Sequence, residues 1–397
     1  MSNKVVVIGR NYTSRLGMIR AVGMAGYDVT VIKTNGLPET KDIDAFSKYV
    51  KEYLYAKEPN REELISVLMT LKSDKGKVVI IPVDDYAAST IDENIDLLKD
   101  NFLFPNINME QGAINRLMDK DYQKILARQA GLNVADGWVV NIKNHTYTLP
   151  SDIVYPVFPK PQISFKGNKR CMRKCDNETE LRQVMDEVAS QRDCPILIEQ
   201  YIKIEKEYGV LGFCGQDRIE TPGLVEKTLI GEGGHKGVTK VGIVTPLVKK
   251  GDLYERIQKF LKLINLTGLC DIDLYEHNGM IFFNELNLRF GAFGYSIICA
   301  GVNLPKLMVE YLFHNILSST QNEIYPKTVC LSEKVNYDDY YNGFYGIKRY
   351  KQINEMTDKT FLKNEDDPMP YKVFMSQNFS YKRRVKRVVK QLIKHFR

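Results

Sequence analysis

Carboxylate, amide and guanidinium side chains interrupt an apolar stretch between Gly268 and Gly294. The stretch consists of two apolar runs, Cys270 to His277 and Met280 to Leu288, joined by Asn278-Gly279. An Asn-Gly dipeptide between two such runs is a strong indication of a β-hairpin. The sequence therefore predicts two antiparallel strands that carry polar side chains of a kind able to do chemistry.

Four side chains of this hairpin could act together: Asp273 on the first strand and Glu285, Asn287 and Arg289 on the second. Side chains two residues apart on a strand point to the same face, and pairing through the turn would bring Asp273 close to Glu285. Two carboxylates and an amide oxygen form a hard oxygen site suited to Mg²⁺. The alternative is a hairpin with a solvated polar face. We favour the metal site because the second strand, IFFNELNLRF, is otherwise strongly apolar.

The pattern Asp-x₁₁-Glu-x-Asn-x-Arg on a hairpin resembles the metal-binding end of the ATP-grasp superfamily, which includes D-alanine–D-alanine ligase, biotin carboxylase and carbamoyl-phosphate synthase. The resemblance covers roughly residues 1 to 317. It implies an α/β chain, with an N-terminal parallel α/β pre-ATP-grasp domain followed by a two-lobed ATP-grasp module of the α+β type. It also implies ATP with Mg²⁺ or Mn²⁺ as cofactors, and Asp273, Glu285 and Asn287 as the metal ligands.

The same resemblance assigns two lysines to the nucleotide phosphates. Lys120 lies on a predicted amphipathic helix over 115–131, and Lys160 ends a predicted strand over 154–161. The loop after Lys160 would cover the triphosphate. It has the single glycine Gly167 among basic residues, whereas many relatives have several glycines there.

The adenosine site is assigned to the strand that begins at Pro195 and to the segment after it. The adenine would contact the end of that strand, at Glu199, Gln200, Tyr201 and Ile202. Glu207 would accept hydrogen bonds from the ribose hydroxyls, and Glu205 is the competing choice because the spacing is uncertain by one or two residues.

Two basic residues are the candidates for catalysis. Lys227, on a predicted strand over 224–230, resembles a γ-phosphate lysine of the D-alanine ligase branch, and Arg289 would hold the transferred phosphoryl group or an oxyanion. The glycine-rich loop GEGGHKGVTK follows that strand. It is either a mobile hairpin tip or a lid over the acceptor substrate. His235 within it is a candidate general base.

The N-terminal segment alternates strands with helices, which is typical of a parallel α/β sheet. Strands are predicted at 4–8, 27–33 and 78–82. The first strand is followed by GRNYTSR, without the G-x-G-x-x-G pattern of a dinucleotide site. Gly9, Arg10 and Asp84 follow strand ends, where substrates bind in such sheets. For Asp84, capping of the next helix is an equal alternative.

The order of these patterns predicts four parts of the chain: a pre-ATP-grasp Rossmann-like domain at 1–112, an ATP-grasp module at 113–317 with its small nucleotide-covering lobe at about 133–200, a C-terminal extension of unknown role at 318–379 and a basic amphipathic helix at 380–397. The extension contains a tyrosine-rich stretch, 337–350, for which we predict small irregular strands.

The bulk composition fits a globular protein. The chain has 397 residues, 44% of them hydrophobic and 26% charged. The seven cysteines form no CxxC pair and the five histidines lack metal-ligand spacing, so we expect a reduced cytoplasmic location and no zinc site. Eight Lys and Arg residues follow position 381, and removing them from the net charge of +7 leaves −1. The body of the protein is therefore not expected to bind nucleic acid.

The functional hypothesis that follows is an ATP- and Mg²⁺-dependent carboxylate–amine ligase, nearest to D-aspartate-ligase-like and other amino-acid ligases, that forms an amide through an acyl phosphate. Its expected substrates are a small carboxylate and an amine. A lipid-linked acceptor from cell-wall or surface-polysaccharide synthesis is a further hypothesis. The alternatives are a carboxyphosphate-forming enzyme of the carbamoyl-phosphate synthase or biotin carboxylase type and a non-catalytic nucleotide-binding scaffold at the membrane.

The last residues of the chain generate a prediction about membranes. Their apolar side chains fall at helical spacing, at Val385, Val388, Val389, Leu392, Ile393 and Phe396. Basic residues fill most other positions, so we expect peripheral attachment to an anionic inner leaflet, where each basic residue contributes about 1 kcal/mol. Docking of this helix on the protein body is the alternative. The full chain should co-sediment with anionic liposomes in a salt-sensitive manner, and a chain ending at Phe379 should not. Equal partition of the two would contradict the anchor.

Overall fold

The computed structural model describes residues 3–163, 171–315, 324–325 and 327–379. The loop predicted to cover the triphosphate, at 164–170, and the basic segment at 380–397 lie outside the described residues. The predictions made for them stay predictions.

The N-terminal part is a five-stranded parallel sheet with the order β3-β2-β1-β4-β5. Its elements are β1 (Lys4–Gly9), α1 (Tyr12–Met24), β2 (Asp28–Lys33), β3 (Val50–Tyr55), α2 (Arg61–Met69), β4 (Val78–Pro82), α3 (Asp85–Asp92), α4 (Ile95–Leu98) and β5 (Phe102–Leu103).

The central strands of this sheet are continuous apolar runs because helices cover both faces. Val5 to Ile8 and Val78 to Ile81 are all buried. The sequence missed β3, an edge strand whose residues are partly exposed. The helical segment after β4 is divided into α3 and α4, because the first helix ends at Glu93.

A helical connection leads to the next part of the chain, with β6 (Asn106–Ile107), α5 (Ala113–Leu117), α6 (Lys120–Gln129) and β7 (Asn133–Val134). The single helix predicted over 115–131 is wrong. Asp119 interrupts it and caps α6 by accepting the N–H groups of Asp121 and Tyr122. Gly131 ends the connection with a φ of +87°, which a glycine adopts without strain.

A small antiparallel sheet follows, with the strand order β8-β10-β9. It contains β8 (Gly137–Asn141), β9 (Val157–Pro161), α7 (Glu178–Ala189) and β10 (Pro195–Gln200). The helix α7 buries Leu181, Val184 and Val188 against this sheet, so the lobe has its own apolar core.

The rest of the chain forms a large, mainly antiparallel sheet and the helices packed on it. Its elements are β11 (Lys206–Cys214), β12 (Ile219–Ile230), β13 (Thr239–Pro246), α8 (Asp252–Ile264), β14 (Leu266–His277), β15 (Met280–Asn287), α9 (Tyr295–Cys299), α10 (Leu304–His314), β16 (Thr328–Leu331), α11 (Glu333–Tyr341), α12 (Ile347–Glu355), β17 (Lys359–Thr360) and α13 (Met369–Asn378). The order is β17-β16-β13-β12-β11-β14-β15-β7, and β6 pairs with the start of β14.

The C-terminal extension continues this sheet, since β16 pairs with β13 and β17 pairs with β16. The irregular strands predicted for the tyrosine-rich stretch are wrong, because most of it lies in helices α11 and α12. Tyr337 and Tyr341 are one helical turn apart and stack, and the ring of Tyr337 also packs edge-on against Phe374 of α13. The tyrosines therefore form the core of a small helical layer.

The predicted fold class is confirmed: a parallel α/β sheet precedes a module of a small antiparallel lobe and a large sheet. All seven cysteines are free. Within the part of the chain that the structure describes, no helix has both the length and the apolar character to cross a bilayer.

Candidate active site

The predicted hairpin is present, and a β-bulge sets its register. The turn Asn278-Gly279 has positive φ at both residues, +49° and +73°. Counting back from this turn, Leu274 pairs with Phe283, but the next pair is Asp273 with Glu285. Asn284 is the extra residue of the bulge. Directly paired residues of antiparallel strands share a face, so the bulge brings the two carboxylates together.

Each of the two carboxylates has a lysine partner from a different element. The Lys227 Nζ of β12 lies 2.5 Å from the Asp273 Oδ1, and the Lys120 Nζ of α6 lies 3.0 Å from the Glu285 Oε2. Burial alone would raise the pKa of Glu285, but the charges of Lys120 and Lys160 outweigh it and hold the pKa at about 2. Burial, together with the nearby Glu285 charge, raises the pKa of Asp273 despite its ion pair.

A second charged cluster links the small lobe to α6. Glu199 accepts ion pairs from the Nζ atoms of Lys124 and Lys160, both at 2.8 Å. Lys160 also donates to the Oδ1 of Asn284, the bulged residue, at 3.3 Å. Glu199 is buried, but the two lysine charges outweigh burial and lower its pKa. The sequence missed Lys124, which follows Lys120 by one helical turn and carried no motif.

Arg289 is held by Asp85, the first residue of α3. Its Nε donates to the Asp85 Oδ1 at 2.6 Å, and its Nη2 donates to the Asn287 Oδ1 at 3.2 Å. Burial alone would lower the pKa of the Arg289 guanidinium. The negative charge of Asp85 outweighs the effect of burial, so the pKa is raised. The N-terminal sheet therefore orients a residue of the hairpin, a contact that no local pattern in the sequence revealed. Asp84, next to it, caps α3 by accepting the Ala87 N–H.

A third carboxylate, Asp271, was also missed. It lies on β14 two residues before Asp273 and pairs in register with Asn287. Asp271 and Asp273 line one cavity together with Glu285. A Cβ atom on Gly291 would lie 1.8 Å from its Oδ2, so only glycine fits beside it. Burial and the charge of Asp273 raise the pKa of Asp271 to about 7. The alternating pattern of β14 could have revealed Asp271 from the sequence, because residues two apart on a strand, such as Asp271 and Asp273, share a face.

A cavity of about 340 Å³ brings these groups together. Asp271, Asp273, Glu285, Asn287, Arg289 and Lys227 line it on the side of the large sheet. Asn11 and Thr13 from the start of α1 line it on another side, and His235, Ser332 and Lys334 complete it. The cavity is thus built by the N-terminal sheet, the large sheet and the C-terminal extension together.

The residues predicted to hold adenosine are spread over two places. Gln200, Tyr201 and Ile202 line a separate groove of about 490 Å³ beyond the end of β10. Glu207 on β11 lies 4.0 Å from the Lys227 Nζ, towards the carboxylate cluster. Glu205, the competing choice, accepts the N–H of Asn278 at the hairpin turn and lies 3.6 Å from His277.

The chain is similar to several proteins that are already known. A family model described as the C-terminus of D-ala D-ala ligase matches residues 126–314. The vancomycin/teicoplanin A-type resistance protein VanA of Enterococcus faecium is 29% identical over 225 residues, which are 52% of this chain and 63% of that protein. The chain therefore spans less than two thirds of the length of this relative.

Two solved structures show the same fold at low sequence identity. The L-amino acid ligase from Bacillus licheniformis superposes with a TM-score of 0.59 at 16% identity, covering 82% of this chain and 78% of that chain. The N5-carboxyaminoimidazole synthetase from Staphylococcus aureus, solved with ADP, superposes with a TM-score of 0.63 at 18% identity, covering 89% and 86%.

The raised pKa of Asp271 predicts a stability change. In the folded protein the charged form of Asp271 is disfavoured, so ionisation of this carboxyl lowers the stability of the fold. This loss of stability is absent below about pH 4, grows up to about pH 7 and is constant above it. Asp271→Asn should therefore raise the free energy of unfolding at pH above 7, by roughly 2–4 kcal/mol without divalent cations. Urea denaturation at acidic and alkaline pH measures this. The control is Asp217→Asn at an exposed turn. A pH-independent difference would show that the cost is not electrostatic.

Proposed function

We propose that this chain, a member of the ATP-grasp superfamily, is an ATP- and Mg²⁺-dependent ligase that joins a carboxylate to an amine through an acyl phosphate. The observation that carries the proposal is the pairing of Asp273 with Glu285 at the wall of a cavity that Lys227 and Arg289 also line. Two adjacent carboxylates can coordinate a metal ion, and the surrounding cationic side chains can bind a polyanion.

The donor set fits Mg²⁺. Asp273 and Glu285 offer carboxylate oxygens, and the Asn287 side chain lies with its Nδ2 3.5 Å from the Asp273 Oδ2. Among the described residues no three His, Cys, Asp or Glu side chains form a metal site by themselves. Mg²⁺ ordinarily takes one or two carboxylates and completes its shell with waters and substrate phosphates, which matches this set. When bound, the ion would neutralise charge on the transferring phosphoryl group.

The lysines of the cluster are placed to bind the nucleotide phosphates. Lys120, Lys160 and Lys227 come from α6, β9 and β12, and each is paired with a carboxylate. A triphosphate would offer Lys120 and Lys227 new partners once a divalent cation takes over Asp273 and Glu285. Glu207 would accept the ribose hydroxyls. The adenine would lie against the backbone around Gln200 to Ile202, at the end of β10.

Arg289 and Lys227 would act on the chemical step. The substrate carboxylate attacks the γ-phosphorus, ADP leaves, and the amine then attacks the acyl phosphate with loss of phosphate. Arg289 is fixed by Asp85 and lines the cavity, so it is preorganised to hold the phosphoryl oxygens or the oxyanion of the adduct. Preorganised cations need no rearrangement when charge develops, and this is the main contribution that the chain's own residues make.

Phosphate release tests the proposal directly. The protein with Mg²⁺ and ATP is screened against amino acids, hydroxy acids and lipid-linked cell-wall precursors as acid and amine. The last group is included because the basic segment at 380–397 is predicted to attach to an anionic membrane surface. Release that depends on one acid and one amine supports the ligase. Release with bicarbonate alone would favour a carboxyphosphate-forming enzyme, and no release with any acid would support a nucleotide-binding scaffold.

The metal assignment predicts the effect of two isosteric changes. Asp273→Asn and Glu285→Gln each remove a negative ligand, so ATP-dependent phosphate release should fall below detection while the fold is kept. Circular dichroism checks the fold. The matched control is Glu276→Gln, on the same strand as Asp273 but paired with Lys206 and Tyr208 outside the cavity. Near-normal turnover by either folded variant would refute the metal site.

The nucleotide product separates two routes to an activated carboxylate. Because Arg289 and Lys227 are proposed to hold the γ-phosphoryl group, the expected products are ADP and phosphate. Chromatography of the nucleotides after turnover measures this. Stoichiometric AMP with pyrophosphate would mean that the acid is activated as an adenylate, and the acyl-phosphate mechanism would be wrong.

A further inference from the structure

The C-terminal extension fastens the glycine-rich loop between β12 and β13 to the body of the protein. The Glu232 N–H donates to both carboxylate oxygens of Asp339, at 3.1 Å each. The same Asp339 pairs with the Lys240 Nζ at 2.7 Å, and both side chains are almost fully buried. Asp339 lies on α11, so one carboxylate of the extension holds the loop at both of its ends.

Close packing adds to these polar contacts. A Cβ atom on Gly231 would lie 2.8 Å from the Val335 Cγ1 of α11. A Cβ atom on Gly233 would lie 2.6 Å from the Phe344 ring, and this glycine has a φ of +53°. The two glycines therefore let the loop lie directly against the extension. In this arrangement the loop is a fixed wall of the cavity.

The extension also gives His235 a carboxylate partner. The His235 Nε2 lies 2.9 Å from the Asp338 Oδ2, and Asp338 forms a further ion pair with Lys334. A carboxylate only accepts hydrogen bonds, so the neutral imidazole must carry its proton on Nε2 and its lone pair on Nδ1. His235 and Lys334 both line the cavity that contains Arg289.

We propose that α11 builds the acceptor side of the site, and that Asp338 positions His235 to take the proton which the attacking amine loses. Asp338 is a positioning residue, because it acts through the imidazole. The inference rests on the proposed ligase function and deepens it, since it assigns a role to a part of the chain outside the matched family model at 126–314.

The step balances as an acyl transfer. The amine nitrogen forms a C–N bond to the acyl carbon, the C–O bond to phosphate breaks, and phosphate leaves with the electron pair. One proton moves from the amine nitrogen to the His235 Nδ1. The resulting imidazolium keeps its Nε2–H on Asp338, whose negative charge stabilises it. Asp338 also pairs with Lys334 through the same Oδ2, whereas the neighbouring Asp339 is occupied by Lys240.

The first test needs no substrate. The chain has five histidines, so selective ¹⁵N-histidine labelling gives a simple spectrum, and His235→Gln assigns the resonance of interest. At alkaline pH the ¹⁵N shifts of the native protein should show the Nε2–H tautomer for His235. Asp338→Asn should give a mixture of tautomers, and Asp338→Glu should restore the native form. An Nδ1–H tautomer in the native protein would overturn the proposal.

The second test separates proton removal from the rest of catalysis. Hydroxylamine is unprotonated at neutral pH and attacks acyl phosphates without a base. The protein is given hydroxylamine together with a second amine, which forms the amide. This second amine is the one found by the phosphate-release screen, or ammonium chloride if the screen finds none. General base catalysis contributes at least about a hundredfold. The ratio of hydroxamate to amide should therefore rise about a hundredfold in His235→Gln and Asp338→Asn, and return in Asp338→Glu.

The control for the second test is Asp366→Asn, an exposed carboxylate of the same extension outside the cavity. It should leave the product ratio unchanged. An unchanged ratio in His235→Gln would overturn the role of the imidazole. If the native protein forms no hydroxamate from any acid, the proposed ligase function fails instead, and the tautomer experiment still decides the placement of His235 by Asp338.

Discussion

The site depends on balancing the charges of two adjacent, partly buried carboxylates, Asp273 and Glu285. An unpaired buried charge costs several kcal/mol, and two like charges side by side cost more. The compensating cations come from separate places in the fold: Lys120 begins α6, Lys160 ends β9, Lys227 lies on β12 and Arg289 follows β15. The cluster is therefore balanced only when the small lobe, the large sheet and the connecting helix are all in place.

A single extra residue decides whether that cluster exists. Without the bulge at Asn284, the turn would pair Asp273 with Asn284 and turn Glu285 to the opposite face of the sheet. The side chain of the bulged residue, Asn284, also accepts a hydrogen bond from Lys160 of the small lobe. Bulges commonly re-aim side chains next to active sites, and here the bulge also connects the hairpin to the lobe above it.

Local patterns explain why part of this structure was predictable from sequence. Apolar runs gave β1, β4 and the hairpin strands, and the Asn-Gly turn gave their connection. Contacts between distant elements leave no such pattern. The pairing of Asp85 with Arg289 and that of Lys124 with Glu199 each join residues far apart in the sequence. The break at Asp119 and the tyrosine-rich helices were missed because capping and tertiary packing overrode the apparent period.

The two sides of the cavity differ in how the chain builds them. The carboxylates, Lys227 and Arg289 lie within the matched stretch 126–314. The opposite side comes from outside it, with Asn11 and Thr13 at the start of α1 and Lys334 in the extension. Phosphoryl transfer sets the same demands for any carboxylate, whereas acid and amine must be distinguished by the groups that face them. Under the proposed ligase function, the acid and the amine would therefore be distinguished by the part of the lining that lies outside the matched stretch.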